Sequence, residues 1–365
     1  MTAFANLATT REIIVCCGTG GVGKTTTAAV LAIEAARRGR RAVVVTIDPA
    51  KRLADALGLD ALSDEPKLID QQTWNIFDRD PARSGLAQGT LSALMLDTKS
   101  TFDKLVHEHA PDEPAADRIL DNRFYRNISG ALGGTQEYMA MEKLHELHTS
   151  GEFDLIVIDT PPSRHALDFL DAPERLMRLL DNRMFRLLMM PTKTYLKLAG
   201  AALQALLRTV SRVVGREVVD DAIAFFQAFE GMEQGFRDRA AKVQELIDDP
   251  ATAFVLVTTP RRDAVDEATY FAQRLESNGL QVAGLIVNRI HPEFGSESPE
   301  SLRALAHGNA AILNLADFRE IAIRERETLE TLTARIPSDA VGYVPLLDED
   351  VHNIATLATV ATHLF

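Results

Sequence analysis

Short runs of β-branched and other apolar residues recur along the chain, and most of them lack the alternation of polar and apolar positions seen in half-exposed strands. Strands that are covered on both faces of a parallel sheet have this continuous apolar character. The pattern therefore predicts a set of buried parallel strands. They are residues 12–17, 41–47, 154–159, 254–259, 284–288 and 341–344.

Segments with the apolar spacing of helices lie between these strands. Alternating strands and helices predict an α/β fold with a doubly wound, mostly parallel sheet. In such a sheet the ligand site lies at the carboxyl ends of the strands. The predicted helices are residues 24–38, 262–278, about 307–335 and 349–364.

Two stretches interrupt the alternation. Residues 90–150 and 172–249 show helical periodicity and few strand signals, so we expect inserted helices that together form a helical subdomain. Residues 291–301 are expected to be a polar loop with two prolines. A chain of 365 residues favours one large domain with such insertions over two full domains.

One apolar stripe in the second insertion, within residues 184–214, has two interpretations. The more common one is a buried seam in the helical subdomain. The other is an exposed groove for hydrophobic client segments, favoured by a cluster of flexible methionines just before the stripe. The stripe consists of Leu196, Ala199, Leu203, Leu206, Val210 and Val214, and the methionines are Met184, Met189 and Met190.

The segment "GTGGVGKT", residues 18–25, follows a predicted strand and opens a predicted helix. This is the context that a phosphate-binding P-loop requires. Its glycines let backbone N–H groups turn toward an anion, and the helix N-terminus adds partial positive charge. Lys24 is expected to reach the β- and γ-phosphates and Thr25 to bind Mg²⁺. The predicted nucleotide contacts are Gly20, Gly21, Val22, Gly23, Lys24, Thr25 and Thr26.

Two acidic residues directly follow buried strands. Asp48 follows "VVVTI" and Asp159 ends "LIVID". Acids at strand ends are often simple turn residues, but beside a P-loop they point into the phosphate crevice. We predict that Asp159 holds Mg²⁺ partly through its water shell and that Asp48 orients the attacking water.

The late strand "GLIVNRIH" bears on the identity of the base. GTPases usually carry Asn-Lys-x-Asp here, and its Asp reads guanine. In this chain Arg289, Ile290 and His291 follow Asn288, so the guanine-reading Asp is missing. Asn288 can still offer its amide to adenine, and the sequence therefore favours ATP over GTP.

Composition bears on the partners, the metal sites and the cellular location of the protein. The formal net charge is −13, which argues against a nucleic-acid partner or an anionic membrane surface. The two cysteines, Cys16 and Cys17, are adjacent, so no disulfide framework, zinc site or iron–sulfur cluster is expected. The N-terminus lacks signal-peptide features, and a cytoplasmic protein is predicted.

Five collinear motifs resemble those of the arsenical-pump and tail-anchored-protein-targeting ATPases, which belong to the deviant Walker-A class of P-loop proteins. They are "GTGGVGKTTT", "TIDPAKRLADAL", "IDTPPSRHALDFL", "IVNRIHP" and "VPLLDEDVHNIATL". The resemblance covers the nucleotide domain from about residue 11 to the C-terminus, and we expect residues 1–365 to form one P-loop ATPase domain. The resemblance also implies that Asp48 is catalytic, that Asp159 lies in switch II, and that Asn288 and Pro345 flank adenine.

The chain departs from that family at three points. Thr19 replaces the signature lysine that reaches the ATP of the other subunit. The Cys-x-x-Cys zinc motif of the targeting branch and the arsenite-binding cysteines of the pump branch are both missing from the sequence. More narrowly, the chain resembles one member of a paired bacterial branch of the family. Thr19 suggests that it cannot complete the active site of a partner, and that it pairs with a lysine-bearing paralogue in a heterodimer; a homodimer stays open.

Three functions remain open from the sequence. The first is a Mg²⁺-dependent ATPase that acts as a dimeric switch and binds and releases a cargo through its helical subdomain. The cargo could be hydrophobic or membrane-protein segments, and the protein could reach the membrane through such a client or partner. The second is a regulatory ATP-binding subunit with weak hydrolysis alone. The third is a P-loop enzyme of small-molecule metabolism.

Overall fold

The computed structural model describes residues 2–47, 52–74, 89–123, 125, 135–160, 166–182, 215–228 and 232–365. Within these ranges the chain forms one eight-stranded sheet and a set of helices. The strands are β1 (Ile13–Cys17), β2 (Arg41–Thr46), β3 (Lys67–Leu68), β4 (Thr90–Met95), β5 (Leu155–Asp159), β6 (Thr252–Thr258), β7 (Val282–Ile290) and β8 (Val341–Pro345).

The sheet has the strand order β3-β4-β2-β5-β1-β6-β7-β8. The short strand β3 runs antiparallel to β4, and the other described pairs are parallel. The central strands β1 and β5 are apolar apart from Asp159 at the end of β5, and both are buried along their whole length, as expected for strands covered on both faces. The doubly wound, mostly parallel α/β fold predicted from the sequence is confirmed.

The four predicted helices are present, with ends that differ by a few residues. The predicted polar loop 291–301 is shorter than expected, because a helix begins at Pro299, a residue that is well suited to the first turn of a helix. The described helices are α1 (Ala3–Thr10), α2 (Lys24–Arg37), α3 (Arg52–Ala56), α4 (Gln71–Trp74), α5 (Thr98–His109), α6 (Glu113–Leu120), α7 (Thr135–Ser150), α8 (Ala166–Asp181), α9 (Arg216–Ala228), α10 (Glu233–Asp248), α11 (Arg262–Ser277), α12 (Pro299–Ala306), α13 (Ala310–Thr333) and α14 (Ile354–Leu364), with a short 3₁₀ turn at Ser338–Ala340.

The chain divides into two compact units. The sheet unit comprises Met1–Leu96, Leu147–Leu167 and Asp248–Phe365. Its main apolar core lies between the sheet and helices α1, α2 and α14. Helix α2 contributes mostly alanine with a few larger aliphatic residues, so it packs closely against the strands.

The helical unit comprises Asp97–Glu146 and Asp168–Ile247. Asp97 and Asp112 accept hydrogen bonds from backbone N–H groups in the first turns of α5 and α6, and so cap both helices. Inside the unit the ring of Tyr125 stacks between those of Phe102 and Phe225, with centroid distances of 5.1 and 5.9 Å. None of the described helices is long and apolar enough to cross a membrane.

Residues 90–95 differ from the sequence prediction. We assigned 90–150 to a helical insertion, whereas Thr90–Met95 forms β4 and pairs with β2 along its whole length. The segment "TLSALM" is rich in Leu, Ala and Met, which are good helix formers, so propensity favoured a helix. Burial of Leu91, Ala93 and Leu94 inside the sheet overrides that preference. The apolar stripe within 184–214 lies outside the described residues.

Candidate functional site

The P-loop connects β1 to α2 in the sheet unit. Gly18 and Gly23 adopt φ angles of 154° and 103°. A side chain at Gly18 would collide with the carbonyl oxygen of Val257, and one at Gly23 with the side-chain amide of Asn288. Since both glycines combine positive φ with close approach of a neighbour, the loop tolerates no larger residue at either position.

Helix α2 begins at Lys24 directly after this loop. No side chain caps the N-terminus of this 14-residue helix, and the partial positive charge of its first turn lies beside the loop. The buried Lys24 side chain folds back over the loop, and its Nζ donates to the backbone carbonyl of Thr19 at 2.8 Å. This places the ammonium group over the loop backbone, beside the glycine nest.

Asp159 lies on the other side of α2's first turn, at the end of β5. It is 1% exposed, and its Oδ2 accepts hydrogen bonds from Thr25 Oγ1 at 2.7 Å and Thr46 Oγ1 at 3.0 Å. Strand pairing fixes this cluster, because Asp159 is in register with Cys16 on β1 and with Thr46 on β2. Hydroxyl and carboxylate oxygens are the donors that Mg²⁺ prefers, so this cluster fits that ion.

Thr46 is a site residue that the sequence analysis missed. The available signal was a single polar residue inside the apolar run "VVVTI", two residues before Asp48. Asp48 itself lies outside the described residues, so its role remains a prediction. The neighbouring residue Ile47 donates its N–H to the carbonyl of Asp159 at 3.2 Å.

The two cysteines lie under the P-loop in β1, and both are fully buried. Burial raises the pKa of both thiols well above the ordinary value, and the carboxylate of Asp159 raises that of Cys16 further. Both side chains are therefore neutral packing residues at physiological pH.

Asn288 lies near the end of β7 and contacts the P-loop directly. Its Nδ2 donates to the carbonyl of Val22 at 2.8 Å, and its Oδ1 accepts from the backbone N–H of Arg289 at 3.0 Å. The amide that we expected to face adenine thus joins β7 to the P-loop. Pro345 ends β8 and is in register with Ile290.

The described candidate residues come together in the sheet unit. The P-loop, the first turn of α2 with Thr26, and Asp159 lie at the carboxyl ends of β1 and β5, and Asn288 and Pro345 lie at those of β7 and β8. Because Asp159 and Thr46 lie to one side of β1 and Asn288 to the other, the P-loop separates a carboxylate side from an amide side.

Comparisons with known proteins identify related chains. Residues 11–365 match the family described as anion-transporting ATPase. The chain is 24% identical to ATPase GET3 of Malassezia globosa over 355 residues, which cover 96% of this chain and 90% of that protein. It is 24% identical to arsenical pump-driving ATPase 2 (a provisional name) of Aquifex aeolicus over 76% of this chain and 79% of that protein. It is 25% identical to ATPase get3 of Aspergillus terreus over 77% of this chain and 74% of that protein.

Proposed function

Since the chain belongs to the anion-transporting ATPase family and is an ATPase, we propose that it is a Mg²⁺-dependent switch in which ATP binding and hydrolysis control a dimer that captures and releases a cargo. The observation that carries the proposal is the convergence of Lys24, Thr25 and Asp159 at one end of the sheet. This is the arrangement that phosphoryl transfer needs, because catalysis there consists mainly of positioning and charge stabilisation.

Each residue has a defined task in this proposal. P-loop N–H groups and Lys24 bind the phosphates, while Thr25 and Asp159 hold Mg²⁺, Asp159 partly through water. When bound there, Mg²⁺ would neutralise phosphate charge. Asp48 orients the attacking water.

The base is assigned to the other side of the P-loop. By the resemblance to the family, Asn288 and Pro345 flank adenine. Asn288 also maintains the loop through its bond to Val22.

The cargo is assigned to the helical subdomain. We propose hydrophobic or membrane-protein segments as clients, with the stripe in 184–214 as the candidate groove. The protein would act in the cytoplasm and reach a membrane through such a client or a partner. A nucleic-acid partner is not proposed, given the net charge of −13. Neither zinc nor an iron–sulfur cluster is proposed, because the cysteines are adjacent and buried in β1.

A second candidate function is a regulatory subunit. It is favoured by Thr19, whose short uncharged side chain cannot reach an ATP on another subunit. The Thr19 carbonyl already accepts from Lys24 within the same chain, so the residue supports its own P-loop. In a heterodimer with a lysine-bearing paralogue, this chain's ATP would receive the partner's lysine.

Hydrolysis of ATP with and without Mg²⁺ tests the switch. Lys24→Ala and Asp48→Asn should each lower the rate at least about a hundredfold, because they remove the phosphate-binding cation and the water-orienting carboxylate. Arg324→Ala, which removes an exposed cation on α13, is the control and should retain the rate. If both site variants hydrolyse ATP like the unmodified protein, the proposal is wrong.

A further inference from the structure

Arg289 has an unusual backbone. Its φ is 61°, in the left-handed region that residues with a Cβ rarely adopt. The pairing of β7 with β8 also changes register between Asn288 and Ile290, on either side of this residue. Strained positions of this kind persist only where surrounding contacts hold them, and they concentrate at ligand sites.

The contacts that hold Arg289 lead to the P-loop. Its backbone N–H donates to Asn288 Oδ1 at 3.0 Å, and its Nη1 approaches the Gly21 carbonyl oxygen at 3.4 Å. Asn288 in turn donates to the Val22 carbonyl at 2.8 Å. Two successive residues of β7 therefore contact two successive carbonyls of the P-loop.

The strand order indicates which part of a nucleotide would meet Arg289. The carboxylate and hydroxyl cluster of Asp159 lies on the β5 and β2 side of β1, so the terminal phosphates and Mg²⁺ belong there. The rest of the nucleotide then extends across the P-loop toward β6, β7 and β8. Arg289 is exposed on that side, next to Gly21.

We propose that Arg289 is a base-binding residue, whose guanidinium covers the ribose and one face of the purine of bound ATP while it remains near the Gly21 carbonyl. The inference rests on the proposed nucleotide site. A guanidinium is planar, weakly hydrated and stacks on aromatic rings. Its 3.4 Å approach to Gly21 is long for a hydrogen bond, which leaves donor capacity for a ligand.

Two other tasks for Arg289 would give different results. A guanidinium that only supports the P-loop, or one that only contacts phosphate, contributes equally to the binding free energy of every nucleoside triphosphate. A guanidinium that stacks on the face of the base stabilises the binding of a purine nucleotide more than that of a pyrimidine nucleotide, because the larger ring system offers more stacking area. The dependence on the base therefore separates these tasks.

The experiment is calorimetric titration of the full chain with the β,γ-imido analogues of ATP and CTP in Mg²⁺. Arg289→Gly adopts the positive φ without strain and removes the side chain, and any accompanying change in the backbone affects both analogues alike. The substitution should lower the affinity for the ATP analogue roughly tenfold, equal to about 1.4 kcal/mol of binding free energy, and should lower the affinity for the CTP analogue clearly less. An equal loss of affinity for both analogues, or no loss for either, overturns the proposal.

Three further variants complete the test. Arg289→Lys restores the charge but not the plane, so it should recover part of the affinity for the ATP analogue. Arg324→Ala removes one exposed cation from α13 and should bind both analogues normally. Lys24→Ala tests the nucleotide site itself: if it retains full affinity, the proposed function fails, whereas if it loses affinity and Arg289→Gly does not, only the assignment of Arg289 is wrong.

Discussion

Gly23 shows how single residues connect distant parts of the site. Its φ of 103° is strained for any residue with a side chain, and its Cα faces the amide of Asn288. Gly58 has a comparable φ of 68° but nothing within 4 Å of the position that a Cβ would occupy. Comparing substitutions at these two glycines therefore distinguishes the effect of backbone strain from the effect of a steric collision.

We expect Gly23→Ala to destabilise the protein by about 3 kcal/mol and to abolish ATP binding, whereas Gly58→Ala should cost only about 1 kcal/mol. Urea unfolding and calorimetric titration measure the two effects. Combining Gly23→Ala with Asn288→Ala removes the collision, so the double variant should lose less stability than the sum of the single losses. If the stability losses of the two single variants simply add in the double variant, position 23 does not contact Asn288.

The buried thiols of β1 make stability depend on alkaline pH. Burial holds the pKa of Cys16 and Cys17 above the ordinary value of about 9, so the unfolded chain loses these protons first. The folded state then binds more protons than the unfolded state, and stability falls as pH rises above about 9, by at most about 1.4 kcal/mol per pH unit for each thiol.

Urea midpoints measured between pH 8 and pH 10.5 check this dependence. The variant with both Cys16→Ala and Cys17→Ala should show a shallower decline than the unmodified chain, since other titrating groups are shared by the two proteins. Parallel declines would show that the thiols are not protected by burial.

At the scale of helices, one charged contact inside the helical unit joins α10 to α7. Arg239 Nε donates to Glu142 Oε1, and Glu142 is 2% exposed. Burial raises the pKa of Glu142, while Arg239 opposes that increase. Arg237, also on α10, instead pairs with the exposed Asp181 at 2.8 Å.

Arg239→Met should therefore destabilise the chain by about 3 kcal/mol at pH 7, because it leaves a buried carboxylate without its cation. Arg237→Met should cost only about 0.5 kcal/mol, since its pair is at the surface. Urea unfolding of both variants measures the difference.

The loss in Arg239→Met should also depend on pH. Without Arg239 the pKa of Glu142 rises further, so the folded state keeps a proton that the unfolded state releases above about pH 4.5. The destabilisation should be smaller at pH 5 than at pH 7. A loss independent of pH would indicate that packing, and not the charge, stabilises this contact.

At the scale of the whole molecule, Thr19 concerns assembly. By the resemblance to the family, a lysine at position 19 would reach the ATP of a second subunit. Threonine at this position cannot make that contact. The chain's own Lys24 and Asp159 are nevertheless in place. The described residues that we propose to hold phosphate and Mg²⁺ therefore lie within one chain, and we expect the contribution of this chain to the site of a second chain to be reduced.

If the chain works in a heterodimer, mixing it with a lysine-bearing paralogue and ATP should raise turnover at least about tenfold and produce a complex in sedimentation. Thr19→Lys tests the alternative, with Thr19→Met as the control for length without charge. If Thr19→Lys alone reaches the full rate as a homodimer, no paralogue is needed. If neither mixing nor Thr19→Lys changes the rate, position 19 has no role in assembly.

The sequence by itself determined the features that are local in the chain. Gly18, Gly23, Lys24 and Thr25 lie in one short segment, so their spacing alone predicts a P-loop. The structure places this segment at the junction of β1 and α2. The continuous apolar strands likewise predict a parallel sheet, because burial on both faces leaves no polar alternation.

Only the tertiary structure decided which distant residues meet. The strand order brings Thr46 and Asp159 together across 113 positions, and Asn288 to Val22 across 266. It also placed "TLSALM" in the sheet, against its helical propensity. These outcomes depend on pairing between strands far apart in sequence, and neither periodicity nor propensity carries that information, since both describe only neighbouring residues.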